Sequence, residues 1–325
     1  MPHKPNLLFF VFLVFFVVNP ARAESIRLPV TADIWLSDAN AAERNSSMGA
    51  APRLKLKFIQ ELAAIRFDAS AITGREVKSA RLFLRKIGPD KLRYLRLSTI
   101  NQEWSEGKSE KSYGPPDGAT WLYADSNTNK SWAWPGSGFC DVIMTSGHSI
   151  ATYAEKRDEK DDWISVDVAP ALIYAIIAKD TDGLAIMDGG NLSLFNNSFY
   201  SHEQKSSAPY LQVEAGDNLA TIPAAPKATA DASPNDAHLT TGAIRITIVP
   251  DPAAFCYRIT LNGQPLPRWQ IPHPTDKPTI ILLDDLAPGK RCNLEITAIA
   301  ASGQSSPPAA LIVTSSIALP PPPKL

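Results

Sequence analysis

Leu54-Lys55-Leu56-Lys57-Phe58 alternates apolar and basic side chains. That two-residue period predicts a strand with one dry face and one wet face. Ile65 and Phe67 continue the alternation around Arg66. Arg81-Leu82-Phe83-Leu84-Arg85, Tyr94-Leu95-Arg96-Leu97, Trp163 to Val168, Gly183 to Met187 and Tyr210 to Val213 read as further strands. Helical character is confined to Ala169 to Lys179, where Pro170 falls in the first turn and its missing N–H is tolerated. Short strands, long loops and almost no helix predict an all-β fold, a jelly-roll-like sandwich.

A second β-rich unit follows. Ala243 to Val249, Phe255 to Leu261, a turn at Asn262-Gly263, Thr279 to Leu283, Cys292 to Ala300 and Ala309 to Thr314 fit a smaller immunoglobulin-like sandwich. Between the units, Pro and Ala dominate without a periodic pattern, which predicts a semi-extended linker. The expected organisation is a signal peptide over 1–23, a first sandwich over 24–215, a linker over 216–230, a second sandwich over 231–316 and a Pro-rich tail over 317–325.

The signal-peptide reading rests on Lys4, the apolar run Leu7 to Val18 and the small-x-small pattern Ala21-Arg22-Ala23. That run is well short of the roughly 20 residues that span a bilayer, so export without membrane insertion is expected. Without residues 1–23 the chain carries 30 basic against 33 acidic side chains, a balance that speaks against a nucleic-acid partner. Cys256 and Cys292 are the natural candidates for one disulfide in an oxidising compartment. Strand parity speaks against it, because Cys292 shares a face with Leu294 and Ile296 whereas Cys256 lies opposite Tyr257 and Ile259. Cys140, with no His or Lys neighbour, reads as a small buried residue.

Several blocks of the first unit resemble the DNRLRE or disaggregatase-related modules, extracellular β-sandwiches that include polysaccharide-binding members. They are Ala32-Asp33-Ile34-Trp35 with Asn45 to Gly49, Ala64 to Asp68, Val77 to Leu84, Glu103-Trp104-Ser105-Glu106-Gly107, Gly118 to Trp121, Trp163 to Val168, Phe199-Tyr200-Ser201-His202-Glu203 and Pro209 to Val213. The second unit is similar to a fibronectin type III module at Tyr257 to Gly263, Leu286 to Gly289, Cys292 to Ala298 and Ser302 to Ser306. It departs from that pattern at Cys292, where such modules usually carry a corner tyrosine. The resemblance implies a binding module followed by a spacer.

The functional signal is the irregular stretch from Trp104 to Trp134, which holds four of the seven tryptophans among Gly, Pro, Asp and Ser. Such indoles either fold over a core or offer flat apolar faces to a sugar. Trp104 and Trp121 match the resemblance and read as core; Trp132 and Trp134 divide between loop packing and sugar stacking. Tyr113 adds a ring with a hydroxyl, and Glu106, Asp125 and Asn127 are placed to bond sugar hydroxyls.

Asp125-Ser126-Asn127-Thr128-Asn129 begins like a calcium loop, but Lys130 and Gly136 stand where an EF-hand needs Gly and Glu. A structural calcium on loop oxygens such as Asp33 or Asp38 is the alternative, beside the simpler reading of a solvated loop. Glu103, Glu106, Asp117 and Asp125 offer carboxylates for a glycosidase, and Lys111, Tyr113 and His148 offer bases for a lyase, yet nothing fixes a pair. No nucleophile elbow, phosphate loop or metal-spaced His pair is present. Lys55, Lys57, Arg81 and Arg85 alternate outward, as an ordinary wet face or as a grip for an acidic polysaccharide. The sequence therefore predicts a secreted, non-catalytic carbohydrate-binding protein with a fibronectin-like spacer. The alternatives are a structural or adhesive surface protein and a polysaccharide-degrading enzyme.

Overall fold

Residues 23–110, 115–190, 194–232 and 241–317 are described in a computed structural model. The expected signal peptide, but for Ala23, lies outside them, as does the Pro-rich tail beyond Ile317. Among the described residues no helix is long and apolar enough to cross a membrane.

The first sandwich contains β1 (Glu24–Ser37), β2 (Arg53–Leu56), β3 (Glu61–Phe67), β4 (Arg75–Arg85), β5 (Tyr94–Thr99), β6 (Tyr123–Asp125) and β7 (Lys130–Ser131). It continues through β8 (Ala151–Glu155), β9 (Arg157–Asp158), β10 (Trp163–Val168), β11 (Leu184–Asp188), β12 (Asn197–Tyr200) and β13 (Tyr210–Asn218). Two helices interrupt the strands, α1 (Ala41–Arg44) and α2 (Pro170–Ile177). The main sheet has the order β8-β5-β11-β3-β1-β13-β4-β10-β9. Its centre is the long β1, whose first half pairs with β13 and whose second half pairs with β3, with a register shift between Val30 and Ala32. That bulge lets one strand serve two leaves.

Alternation works as physics requires on the β13-β4-β10 side. Leu28, Leu82, Leu84, Ile164, Val166 and Leu211 are fully or almost fully buried. The strands β3 and β11 depart from it, being buried at nearly every position. Such strands are covered on both faces. Trp104, Trp121, Trp132, Phe139 and Val142 of the irregular insert belong to the same buried cluster as Ile65 and Ile186. Phe58 corrects the opening pattern. β2 ends at Leu56, and Phe58 turns the chain at φ 46° before Lys57 and Glu61 bond each other.

The second sandwich comprises β14 (Ala228–Ala232), β15 (Gly242–Ile248), β16 (Cys256–Leu261), β17 (Gln264–Pro265), β18 (Thr279–Leu286), β19 (Arg291–Ile299) and β20 (Ala309–Thr314). They form sheets β14-β15-β18 and β17-β16-β19-β20, the three-plus-four division of a fibronectin type III-like sandwich. Strand β13 runs to Asn218 and β14 starts at Ala228, so only residues 219–227 connect the two sandwiches without strand. Cys256 and Cys292 are both buried and unbridged. Cys292 faces the second core, whereas Cys256 packs beside Ala178 of the first sandwich. Cys140 is exposed, contrary to expectation.

The two sandwiches are docked, and α2 is where they meet. Its end forms a Schellman turn: Asp180 N–H donates to Ala175 O at 2.8 Å and Lys179 N–H to Ile176 O at 3.1 Å, with Lys179 at φ 54°. The carbonyls that a helix terminus leaves over are taken by the other sandwich. Arg258 Nη2 donates to Ala178 O at 2.9 Å and Arg268 Nη1 to Lys179 O at 3.1 Å. Both guanidinium groups also suit the negative end of the helix dipole. His273 N–H reaches Gly147 O at 2.8 Å, and its Nδ1 lies 3.3 Å from Asp180 Oδ2. Burial raises the Asp180 pKa, although His273 and Arg268 pull it the other way. Phe255 adds edge contacts to Tyr174 and His273.

Each arginine bond is a charged hydrogen bond of about 1.5–3 kcal/mol if desolvated, less where solvent reaches it. Arg258→Ala with Arg268→Ala is expected to separate the unfolding of the two sandwiches in calorimetry, giving two transitions in place of one. A single unchanged transition would contradict the docking.

Candidate functional site

The insert spends three of its four tryptophans on the core. Trp104 Nε1 donates to Asp182 O at 2.7 Å, and Arg66 lies 4.6 Å over its ring. Trp121 stands edge-on to Phe139. Trp132 corrects the expectation of a stacking platform. It is 0% exposed, its Nε1 donates to Thr120 O at 2.9 Å, and its ring sits 4.8 Å from Phe139. The short β6–β7 pair ends immediately before it and turns the ring inward. Trp134 is the opposite case, 49% exposed and edge-on to Trp269 of the second sandwich at 5.6 Å. Tyr113 lies outside the described residues.

Glycines make the insert close on itself. Gly107 and Gly118 both have positive φ, and a Cβ on Gly107 would lie 1.7 Å from Asp117 O. Within this ring Asp125 accepts from Asn127 N–H at 3.0 Å and Thr128 Oγ1 at 3.1 Å, while Asn127 Nδ2 donates to Asp117 at 2.8 Å. Asp125 and Asn127 therefore hold the turn together. Asp125 also lines a shallow recess with Glu103, Ser105 and Lys130.

Glu106 is elsewhere, and the proposed ligand set does not converge. Its Oε1 accepts from Asp33 N–H at 2.6 Å and lies 3.4 Å from His202 Nδ1. Asp33 is fully buried; its Oδ2 accepts from His202 N–H at 2.8 Å and its Oδ1 lies 3.3 Å from His202 Nδ1. Glu203 Oε1 lies 3.4 Å from His202 Nε2. The Asp33 carboxylate beside the ring, then the charges of Glu106 and Glu203, push the His202 pKa up to about 9, while burial raises those of Asp33 and Glu106. Asp38, the other oxygen named for calcium, pairs with Arg44.

The larger feature is a cleft of about 1180 Å³ between the sandwiches, lined by Arg66, Asn101, Glu103, Lys130, Thr260 and Arg268 among others. Lys130 and Glu103 lie 3.6 Å apart, linking it to the Asp125 recess. Arg66 donates to Asp182 Oδ2 at 2.5 Å and Trp104 O at 2.8 Å. Several buried polar atoms of lining residues have no hydrogen-bond partner: Arg66 Nε, Asn101 Oδ1, Thr260 Oγ1 and Arg268 Nη2. Such atoms are rare in folded proteins and call for an explanation. Arg268 and Ile271 of the loop that carries Trp269 line the cleft, whereas Trp134 and Trp269 themselves do not.

Sequence reasoning missed this cleft because half of it belongs to a unit read as a spacer. The available signal was Arg268-Trp269, an arginine and an indole adjacent in a Pro-bounded loop. Of the carboxylates considered for catalysis, Glu103 and Asp125 share the recess, Asp117 accepts from Lys108 N–H and Asn127, and Glu106 faces Asp33 and His202.

No family model and no curated protein matches the chain. Among solved structures, a two fibronectin type III domain segment from chicken tenascin is 14% identical and covers 74% of this chain and 97% of that one, with a TM-score of 0.22. A chain described as FN3tt mut is 17% identical, covers 30% of this chain and 97% of its own, and has a TM-score of 0.22. A β-1,2-glucanase from Parabacteroides distasonis is 12% identical over 92% of this chain and 38% of that chain, with a TM-score of 0.27. At these similarities none of them bears on ligand or activity.

The two outer tryptophans separate cleanly. Trp132→Ala is expected to cost about 3–5 kcal/mol of stability, as for other large core aromatics. Trp134→Ala should cost under about 1 kcal/mol, as at an exposed site. Denaturant midpoints at constant slope check both; equal losses would contradict the assignment.

Proposed function

We propose that this is an exported, non-catalytic carbohydrate-binding protein whose seat is the cleft between its two sandwiches. The observation that carries the reading is the set of polar side chains, Arg66, Asn101, Thr260 and Arg268, that line this cleft from both sandwiches. Sugars present many hydroxyls in a small volume, and a cleft with several convergent donors and acceptors suits them. Two of these four side chains are arginines, which favours a uronate-bearing polymer over a neutral one. Trp134, half-exposed and edge-on to Trp269, supplies apolar surface for a sugar face.

The fibronectin-like unit thereby becomes half of the binding site instead of a spacer. Asp125 and Lys130 extend the polar surface toward a second sugar unit, which suits a long chain bound weakly along its length.

A glycan array carrying acidic and neutral polysaccharides tests this. The wild-type chain is expected to be retained on an acidic polymer. Trp134→Ala and Arg268→Gln should each weaken retention about tenfold or more, equivalent to ~1.4 kcal/mol. Retention on no polysaccharide would remove the carbohydrate reading and favour an adhesive role. Release of reducing or unsaturated ends would instead mark an enzyme.

A further inference from the structure

We propose that Asp33, Glu106 and His202, the last through Nδ1, hold one divalent cation of the zinc type, with Glu203 beside the opposite ring nitrogen. This site is independent of the cleft and joins three separate parts of the first sandwich: β1, the insert after β5 and the loop after β12. Asp33, His202 and Glu203 each offer a ligand atom, and those atoms lie within 4.8 Å of one another.

Three observations point to a cation. The first is Asp33 itself: fully buried, with an Oδ1 that accepts no hydrogen bond although it faces the imidazole. A buried carboxylate oxygen is costly without close positive charge, and the nearest such group, the His202 ring nitrogen, stands 3.3 Å away. The second is His202 Nδ1, also buried and without a hydrogen bond. It lies 3.3 Å from Asp33 Oδ1 and 3.4 Å from Glu106 Oε1. Charge-assisted N–H···O bonds close to about 2.7–2.9 Å, so these contacts are too long to be good ones. They match the edge of a tetrahedron, because ligands about 2.0–2.1 Å from zinc stand about 3.3–3.4 Å apart.

The third is charge. Three carboxyl groups surround a single imidazole in one partly buried cluster. One imidazole nitrogen among carboxylate oxygens suits zinc, whereas calcium takes oxygen ligands. The carboxylate at the opposite ring nitrogen, Glu203 when Nδ1 binds, is placed to orient the imidazole, a common arrangement in zinc sites. Ser201 Oγ in turn donates to Glu203 Oε2 at 2.7 Å.

The test uses the chain after treatment with a chelator and its removal. Zinc titrated by calorimetry in two buffers of different ionisation enthalpy should bind one to one and release protons, since the imidazole must lose its own. Zinc should also raise the melting temperature. His202→Gln should weaken binding at least about a hundredfold, and Glu203→Gln about ten- to a hundredfold. Neither variant removes the buried Asp33, so both remain foldable comparisons. No saturable binding of zinc, or equal affinity in wild type and His202→Gln, would overturn the site. Preferential binding of calcium or manganese would overturn the zinc assignment.

Discussion

Two arginines from one sandwich complete the helix terminus of the other, and the cleft exists because they do. The end of α2 satisfies what it can internally through its Schellman turn, leaving Ala178 O and Lys179 O to be met from outside. Arg258 and Arg268 meet them, placing β16 and the loop at Arg268–Gln270 against Asp180. That contact fixes Thr260 and Arg268 opposite Arg66 and Asn101. Gly303 contributes by lacking a side chain, since a Cβ there would come within 3.1 Å of Ile177 O. A freely jointed fibronectin-like unit would possess the same residues without the cleft.

The fold was largely legible in the sequence because alternation reports a strand with one buried face. Trp163 to Val168 and Ala309 to Thr314 coincide with β10 and β20. The failures have physical causes. Strand β3 is covered on both faces, so alternation marks only its end at Ile65 to Phe67 and misses Glu61 to Ala64. Phe58 continues an apolar rhythm but adopts a left-handed turn that the rhythm does not encode. The long β1 hides its role because one strand divides its pairing between two partners across a bulge.

The site was less legible because it depends on contacts between residues far apart in the chain. Counting indoles in the insert located a structural plug, since Trp104, Trp121 and Trp132 are all buried. Only Trp134 has the exposed face that the sugar reading required. Glu106 was picked out for its chemistry, but its neighbours are Asp33 and His202, each separated from it by many residues. No local spacing could have joined those three. The start of the insert is thus held twice, by Asp33 and His202 around Glu106 and by Asp182 around Trp104.

The central claim is that the two sandwiches form one rigid body with a polar cleft between them. Small-angle X-ray scattering of the chain in solution tests it most directly. The account predicts a curve fitted by the single docked arrangement, with a radius of gyration that does not grow with salt. A curve that requires an ensemble of separated sandwiches swinging on residues 219–227 would contradict it.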